Sequence, residues 1–361
     1  AHQFTGGLLA DDMGLGKTLQ TLALLLKVKE EQQNQEAKWV MNREGQMDLF
    51  GNGQYGNDSQ ENTAPPQINL IIMPSSLIHN WKAEVLKFTP QLSCLQYTGN
   101  ERNHLIKYFE NYDIILTTYG LIRNDIELLK DFQFNYIILD ESQVIKNPSS
   151  KTAKVVKRLS GNNKLVLTGT PIENTLTDLW SQMAFLNPGL LGSYRFFKKE
   201  YVQPIEKKQD EQKREKLRVL IKPFLLRRTK EEVAKELPSL TEKVHYCEMS
   251  EAQEKEYERI KSYYRNQIME NIEQFGFNKS QFMILKGLTQ LRLASNHPGL
   301  VNNEFEEDSG KFNEIIRKVE SVTNENHKIL IFSQFVMHLN FLKEYLEGQG
   351  IGYAMLTGST K

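Results

Sequence analysis

The chain has 361 residues, 39% of them hydrophobic and 25% charged, which excludes a disordered or fibrous polypeptide and leaves length for two cores. Lys plus Arg and Asp plus Glu each number 45, so the formal net charge is zero; a broadly basic nucleic-acid coat is excluded, but a local groove is not. No apolar run nears the ~20 residues of a membrane-spanning helix, and the two cysteines, Cys94 and Cys247, support neither a disulfide framework nor a four-thiolate zinc site, which points to a reducing interior.

The chain opens at Ala1 without a starting Met or the basic-then-apolar pattern of a signal sequence, and reads as a piece of a longer protein. Its first element is a loop, Asp12-Met13-Gly14-Leu15-Gly16-Lys17-Thr18, leading into Leu19 and an apolar helix. Glycines at this spacing let backbone N–H groups close around phosphate oxygens, and the helix dipole favours the same charge. Lys17 would reach the β- and γ-phosphates, and the Thr18 hydroxyl would ligate Mg²⁺. Asp11 stands where the common GxxxxGK[ST] pattern has its first glycine, so a plain glycine turn before a core helix stays open as an alternative.

The helix that follows carries Leu19, Leu22, Ala23, Leu24, Leu25 and Leu26, apolar nearly all round, and is expected to be buried. Residues 29–67 turn polar and rich in Gln, Asn, Glu and Gly, and read as a surface insertion, mobile at least over 51–64. Short apolar runs then recur at Leu70–Met73, Ile114–Leu116, Ile137–Leu139 and Leu165–Leu167, and later at Ile329–Phe332 and Tyr353–Leu356. Runs this short, separated by helical patterns, predict buried parallel strands and an α/β fold, with ligands gathering at the strands' carboxyl ends.

At one such end, Asp140 and Glu141 follow Tyr136–Leu139. Asp140 would hold Mg²⁺ through its water shell, and Glu141 would orient or deprotonate the attacking water. Adjacent acids also suit a helix N-terminus, and the loop at Lys17-Thr18 upstream is what favours the catalytic reading. The charged segment 196–240 reads as a solvated helix face laced by opposite charges, and 251–294 as a further helical stretch. Trp81, at helical spacing from Ile78 and Val85, reads as a packing anchor, the two cysteines as inert packing residues, and His297 before Pro298 as a helix end.

These motifs, in this order, resemble the Swi/Snf family of helicase-like ATPases in helicase superfamily two. The resemblance runs over nearly the whole chain apart from 29–67. It rests on Asp11–Gln20, on Met73-Pro74-Ser75-Ser76-Leu77 with Asn80–Glu84, on Thr117-Thr118-Tyr119, and on Leu167-Thr168-Gly169-Thr170-Pro171-Ile172-Glu173-Asn174. It rests equally on Leu226-Arg227-Arg228-Thr229-Lys230, Asn296-His297-Pro298, Ile331–Phe335 and Thr357-Gly358-Ser359. Gln143 departs from the His common at that place, and a Gln can still exchange hydrogen bonds there.

The resemblance implies two RecA-like parallel-sheet lobes with helical insertions, the second incomplete. Their expected extents are 1–238, with 29–67 as insertion and 196–238 as helical protrusion and linker, and 239–361, with a helical insertion at 251–298. It implies ATP and Mg²⁺ as cofactors and Lys17, Asp140, Glu141 and Gln143 as catalytic residues. Pro74, Ser75, Ser76, Thr117, Thr118, Ser333, Gln334, Thr357 and Gly358 would face DNA, and Thr168, Gly169 and Thr170 would couple nucleotide state to DNA grip. The expected partners are double-stranded DNA and a DNA-bound protein, with no membrane, in an intracellular, DNA-associated setting. Two late motifs of the second lobe and the adenine-recognition motif are absent, including arginines of a kind worth ~10³–10⁵ in rate, so weak activity is expected of these residues alone. An unwinding helicase, or a nucleotide-binding module kept for protein association, are the competing functions. For the parts, Ser75-Ser76 as a helix cap, Arg227-Arg228 as surface charges and Thr168–Thr170 as a simple turn remain alternatives.

Overall fold

The computed structural model describes residues 6–44, 67–169, 175–236, 238, 240–305, 307 and 309–360, without the side chains of 35–44. The chain divides into two units, Ala1–Ser239 and Leu240–Lys361.

In the first unit the apolar runs do what short, doubly buried segments must. They pair side by side, because only neighbouring strands can satisfy backbone groups that water cannot reach. The strands are β1 (Gly7–Leu9), β2 (Asn69–Met73), β3 (Cys94–Gln96), β4 (Ile114–Thr118), β5 (Gln133–Leu139), β6 (Ser160–Leu167) and β7 (Leu225–Leu226). They form one sheet in the order β3-β4-β2-β5-β6-β1-β7, and every pairing is parallel. Alternate residues serve opposite faces: Leu70 and Ile72 join one core cluster, and Ile71 and Met73 join the other.

Register decides where the site falls. Met73 pairs with Thr118, Ile72 with Leu139, Leu139 with Val166, and Leu9 with Leu167. The carboxyl ends of five strands therefore lie along one edge of the sheet, and each runs into a motif residue. Helix α1 (Lys17–Glu44) follows β1, α2 (Ile78–Phe88) follows β2, α3 (Tyr119–Leu129) follows β4, α4 (Lys151–Val156) precedes β6, and α5 (Leu176–Leu186) comes after it.

Two expectations are corrected here. Helix α1 is not buried all round: Thr21, Leu22 and Leu25 are buried, while Leu19 and Ala23 are exposed. It also runs on into the polar stretch as far as Glu44, because Lys, Glu, Gln and Ala are strong helix formers and no Gly or Pro interrupts them. Residues 45–66 lie outside the described residues.

The segment 196–240 carries a π-helical turn (Lys198–Lys207), an α-helix (Glu211–Ile221) and then β7. Its charges pair as a solvated face does: Lys213 with Glu200, Arg214 with Glu211, and Arg218 with Glu215.

The second unit is helical among its described residues. Helices Glu251–Phe275 and Phe277–Asn296 break at Gly276, whose φ of +79° suits a residue without Cβ. Helices Gly310–Asn324 and Val336–Gly348 follow. The runs Ile329–Phe332 and Tyr353–Leu356, expected as strands, form no ladder among the described residues, and Leu330, Phe332 and Leu356 stand exposed. An apolar run becomes a strand only beside a partner that completes its hydrogen bonds, and neither run has one here.

Candidate nucleotide site

The phosphate loop begins where β1 ends. Gly14 has φ +87° and Gly16 φ +72°, left-handed values that a side chain would strain, so both glycines are needed for the turn. Lys17 opens α1 and its Nζ donates to the carbonyls of Asp11 (2.7 Å) and Asp12 (3.2 Å), across the loop it would serve. Leu15 N–H donates to Asp12 O, and the Gln20 amide donates to Leu15 O at 2.9 Å, tightening the turn from behind. Thr18 is half-buried in the first turn of α1, while Met13 is exposed at the loop's crest.

Asp11, which replaces the usual first glycine, is fully buried and has a specific partner. The Arg228 backbone N–H and Nε donate to its Oδ1 at 3.0 and 3.2 Å, and Arg228 Nη2 donates to its Oδ2. Gln20 bridges the pair, donating to Asp11 Oδ2 and accepting from Arg228 Nη2. Strand β7 brings Arg228 there by lying against β1, with Ala10 N–H donating to Leu226 O and Asp12 N–H to Arg228 O. Lys230 N–H donates to Asp12 Oδ2, and the Lys230 side chain runs beside Gly14. Arg228 is therefore no ordinary surface charge; it fastens the loop's first residue.

Burial pushes the Asp11 pKa up, but the hydrogen bonds from Arg228 and Gln20 and the guanidinium charge outweigh it and hold the carboxyl below its usual 3.8. Folding thus favours the ionised form, a contribution complete at neutral pH and lost as pH falls through the lowered value. Arg228→Ala is expected to lower the urea midpoint at about pH 7, with the gap to wild type shrinking toward about pH 3. Equal midpoints at neutral pH would contradict this role.

Asp140 follows β5 and is buried. Its Oδ2 accepts from Trp81 Nε1 at 2.8 Å and its Oδ1 from the Glu141 N–H at 2.9 Å, while its main-chain carbonyl accepts from the Tyr119 hydroxyl at 2.7 Å. Burial raises its pKa, with the Trp81 and Glu141 donors pulling the other way. Trp81 is the packing anchor expected of it, and it also orients this carboxylate. Glu141 sits in the left-handed region (φ 49°, ψ 54°), a costly conformation for a residue with Cβ and one that clusters at functional sites. It therefore turns sharply into the short helix Ser142–Ile145. Gln143 Nε2 donates to Glu141 Oε2 at 2.7 Å, within the same loop, and Gln143 Oε1 is buried and accepts no bond among the described residues. Behind this loop α5 braces it: Ser181 Oγ donates to Ile145 O and Gln182 Nε2 to Ser142 Oγ.

Thr168 N–H donates to Leu9 O, and a Cβ on Gly169 would lie 3.2 Å from Met13 Cγ, so this motif touches the phosphate loop. Thr170 lies outside the described residues. Pro74, Ser75 and Ser76 follow β2; the two serines are exposed and neither side chain caps α2. Thr117 is buried with its hydroxyl donating to Tyr97 O, whereas Thr118 caps α3, accepting from Leu121 N–H.

In the second unit, Ser333 Oγ closes a turn with Phe335 N–H and O, and Gln334 accepts from Arg292. Thr357 N–H donates to Thr360 Oγ1, and Gly358 is open on its Cβ side. His297 caps the turn Pro298–Leu300 by accepting from Gly299 N–H, as a helix end does. Burial pushes the Cys94 thiol up to about 11, in keeping with an inert residue.

Sequence reasoning named Arg228, Gln20 and Tyr119 only as members of motifs, with no place in the site, and gave Trp81 no polar role. The one local signal was the Asp at the first loop position, a buried charge that needs a cation.

The oxygen donors of Thr18 and Asp140 fit Mg²⁺, which favours hard oxygen ligands. Among the described residues no group of three or more His, Cys, Asp or Glu is placed to hold a metal ion.

A family model for the SNF2-related domain matches residues 1–300. The chain belongs to that family. It is 36% identical to the SWI2/SNF2 ATPase core of Sulfolobus solfataricus solved in complex with dsDNA, at a TM-score of 0.54, covering 96% of this chain and 66% of that one. It is 34% identical to an uncharacterized ATP-dependent helicase of Mycoplasma pneumoniae over 98% of this chain and 30% of that protein. It is also 34% identical to the TATA-binding protein-associated factor MOT1 of Saccharomyces cerevisiae, over 82% of this chain and 15% of that protein. The chain thus spans about a third or less of these curated relatives. Among the described residues no helix is long and apolar enough to cross a membrane.

Proposed function

We propose that the chain is the motor portion of an ATP-driven double-stranded DNA translocase that remodels or displaces DNA-bound proteins. The observation that carries this reading is the alignment of the Lys17 loop and the Asp140-Glu141 pair at carboxyl ends of one parallel sheet, with β6 between their strands. The SNF2 membership and the relative solved with dsDNA support the choice of partner.

On this reading Asp12–Leu19 cradle ATP, with Gly14 and Gly16 turning N–H groups toward the phosphates. Thr18 and Asp140 would hold Mg²⁺, which neutralises phosphate charge as it develops. Glu141, oriented by Gln143, takes the proton of the attacking water. Thr168, Gly169 and Thr170 pass the nucleotide state from the loop at Met13 onward. Duplex DNA is gripped through its phosphates by Pro74, Ser75, Ser76 and Thr118, while Thr117, buried with its hydroxyl committed to Tyr97, fixes the strand end behind them. Ser333, Gln334, Thr357 and Gly358 make the corresponding contacts from the second lobe. The reading extends to lobes at 1–238 and 239–361, and to slow turnover by these residues alone.

Duplex DNA is expected to stimulate ATP turnover of the full-length protein more than single-stranded DNA or RNA do, with stimulation falling as salt rises. Equal stimulation by all three would overturn the duplex assignment.

A further inference from the structure

We propose that Trp81 and Tyr119 are positioning residues for Asp140, holding its carboxylate and its main-chain carbonyl against the two helices that begin at the DNA-facing loops. The inference rests on the nucleotide reading above and deepens it.

Three observations carry it. Trp81 is 2% exposed, and its indole N–H, which must find an acceptor when buried, has found the carboxylate of Asp140 rather than a nearby backbone carbonyl. With Glu141 N–H on the other oxygen, both carboxylate oxygens are held by donors, so the plane of the group cannot turn. The Tyr119 hydroxyl, also buried, donates to the carbonyl of the same residue and fixes the main chain at the strand's end.

Neither donor comes from the Asp140 strand or its own loop. Trp81 stands on α2, one turn beyond Ser75–Leu77, and Tyr119 is the first residue of α3, next to Thr118. Each helix therefore joins a strand end at the proposed DNA face to Asp140 through one side chain. A shift of either loop on contact with a duplex is transmitted to the acid directly, with no intervening residue.

The test uses Trp81→Phe and Tyr119→Phe in the full-length protein: each deletes one donor, Tyr119→Phe with the ring kept and Trp81→Phe with a smaller ring whose packing loss the urea measurement reads separately. ATP affinity is measured by calorimetry across a Mg²⁺ titration, kcat and KM are measured with and without duplex DNA, and folding is followed by urea. Removing a group that orients a metal ligand costs about 10–100-fold in metal affinity. Each variant is accordingly expected to need about 10–100-fold more Mg²⁺ for tight ATP binding and to lose duplex stimulation, while ATP binding without Mg²⁺ is unchanged. Rescue by excess Mg²⁺ is expected, which a merely destabilised protein would not show.

A wild-type Mg²⁺ requirement in both folded variants overturns the proposal. So does loss of folding in both, because the two bonds would then serve the core and not the acid. If wild type itself shows no Mg²⁺-dependent affinity for ATP, the nucleotide reading fails first and this inference with it.

Discussion

Lys17→Ala is expected to lower ATP turnover of the full-length protein by about 10²–10³-fold, the usual cost of deleting one donor aimed at charge that develops during reaction. The structure explains why no neighbour replaces it. Lys17 Nζ reaches over the loop to the Asp11 and Asp12 carbonyls, and the nearby Arg228 guanidinium is spent on Asp11 and Gln20. Lys230 runs beside Gly14, but on an exposed stem from outside α1. The check is steady-state turnover with duplex DNA present. Turnover within a few-fold of wild type would remove Lys17 from the chemistry. The fold itself should survive, because Lys17 is only half-buried.

Glu141→Gln is expected to separate binding from chemistry. An amide matches the carboxylate in size but cannot accept a proton, and losing a positioned general base costs about 10²–10⁴-fold. The Gln143 amide can still donate to the oxygen of the new side chain, so the loop should hold its left-handed turn at residue 141. Turnover should therefore collapse while calorimetric ATP affinity stays close to wild type. Undiminished turnover would assign the base elsewhere. Parallel loss of affinity and turnover would instead mark Glu141 as a residue that shapes the site.

What could be read in advance follows from the range of the interactions. The phosphate loop is local, with two glycines, Lys17 and Thr18 inside a few residues, and its meaning survives without the rest of the fold. Strands β2, β4 and β5 announce themselves as apolar runs because both their faces are buried, and β6 does so only through Leu165–Leu167 at its carboxyl end. Strands β1 and β7 do not, since Leu8-Leu9 and Leu225-Leu226 are too short to show a period and exist as strands only because they pair.

The same limit hides the parts that orient the site. Arg228 meets Asp11 from 217 residues away, and Trp81 meets Asp140 from 59. Nothing in either neighbourhood names the partner. Ile329–Phe332 and Tyr353–Leu356 mislead for the converse reason: their composition suits a strand, but a ladder needs a neighbour. Thr117 is a third case, a hydroxyl in a strand-end motif whose one hydrogen goes inward to Tyr97.

On the proposed reading, the Gly14–Thr18 turn and the Asp140-Glu141 couple clasp one triphosphate between them. The decisive measurement is calorimetric titration of ATP into the full-length protein with and without Mg²⁺. Binding is expected to tighten when Mg²⁺ is added and to weaken in Lys17→Ala. Heats that show no Mg²⁺-dependent affinity for ATP would contradict that reading.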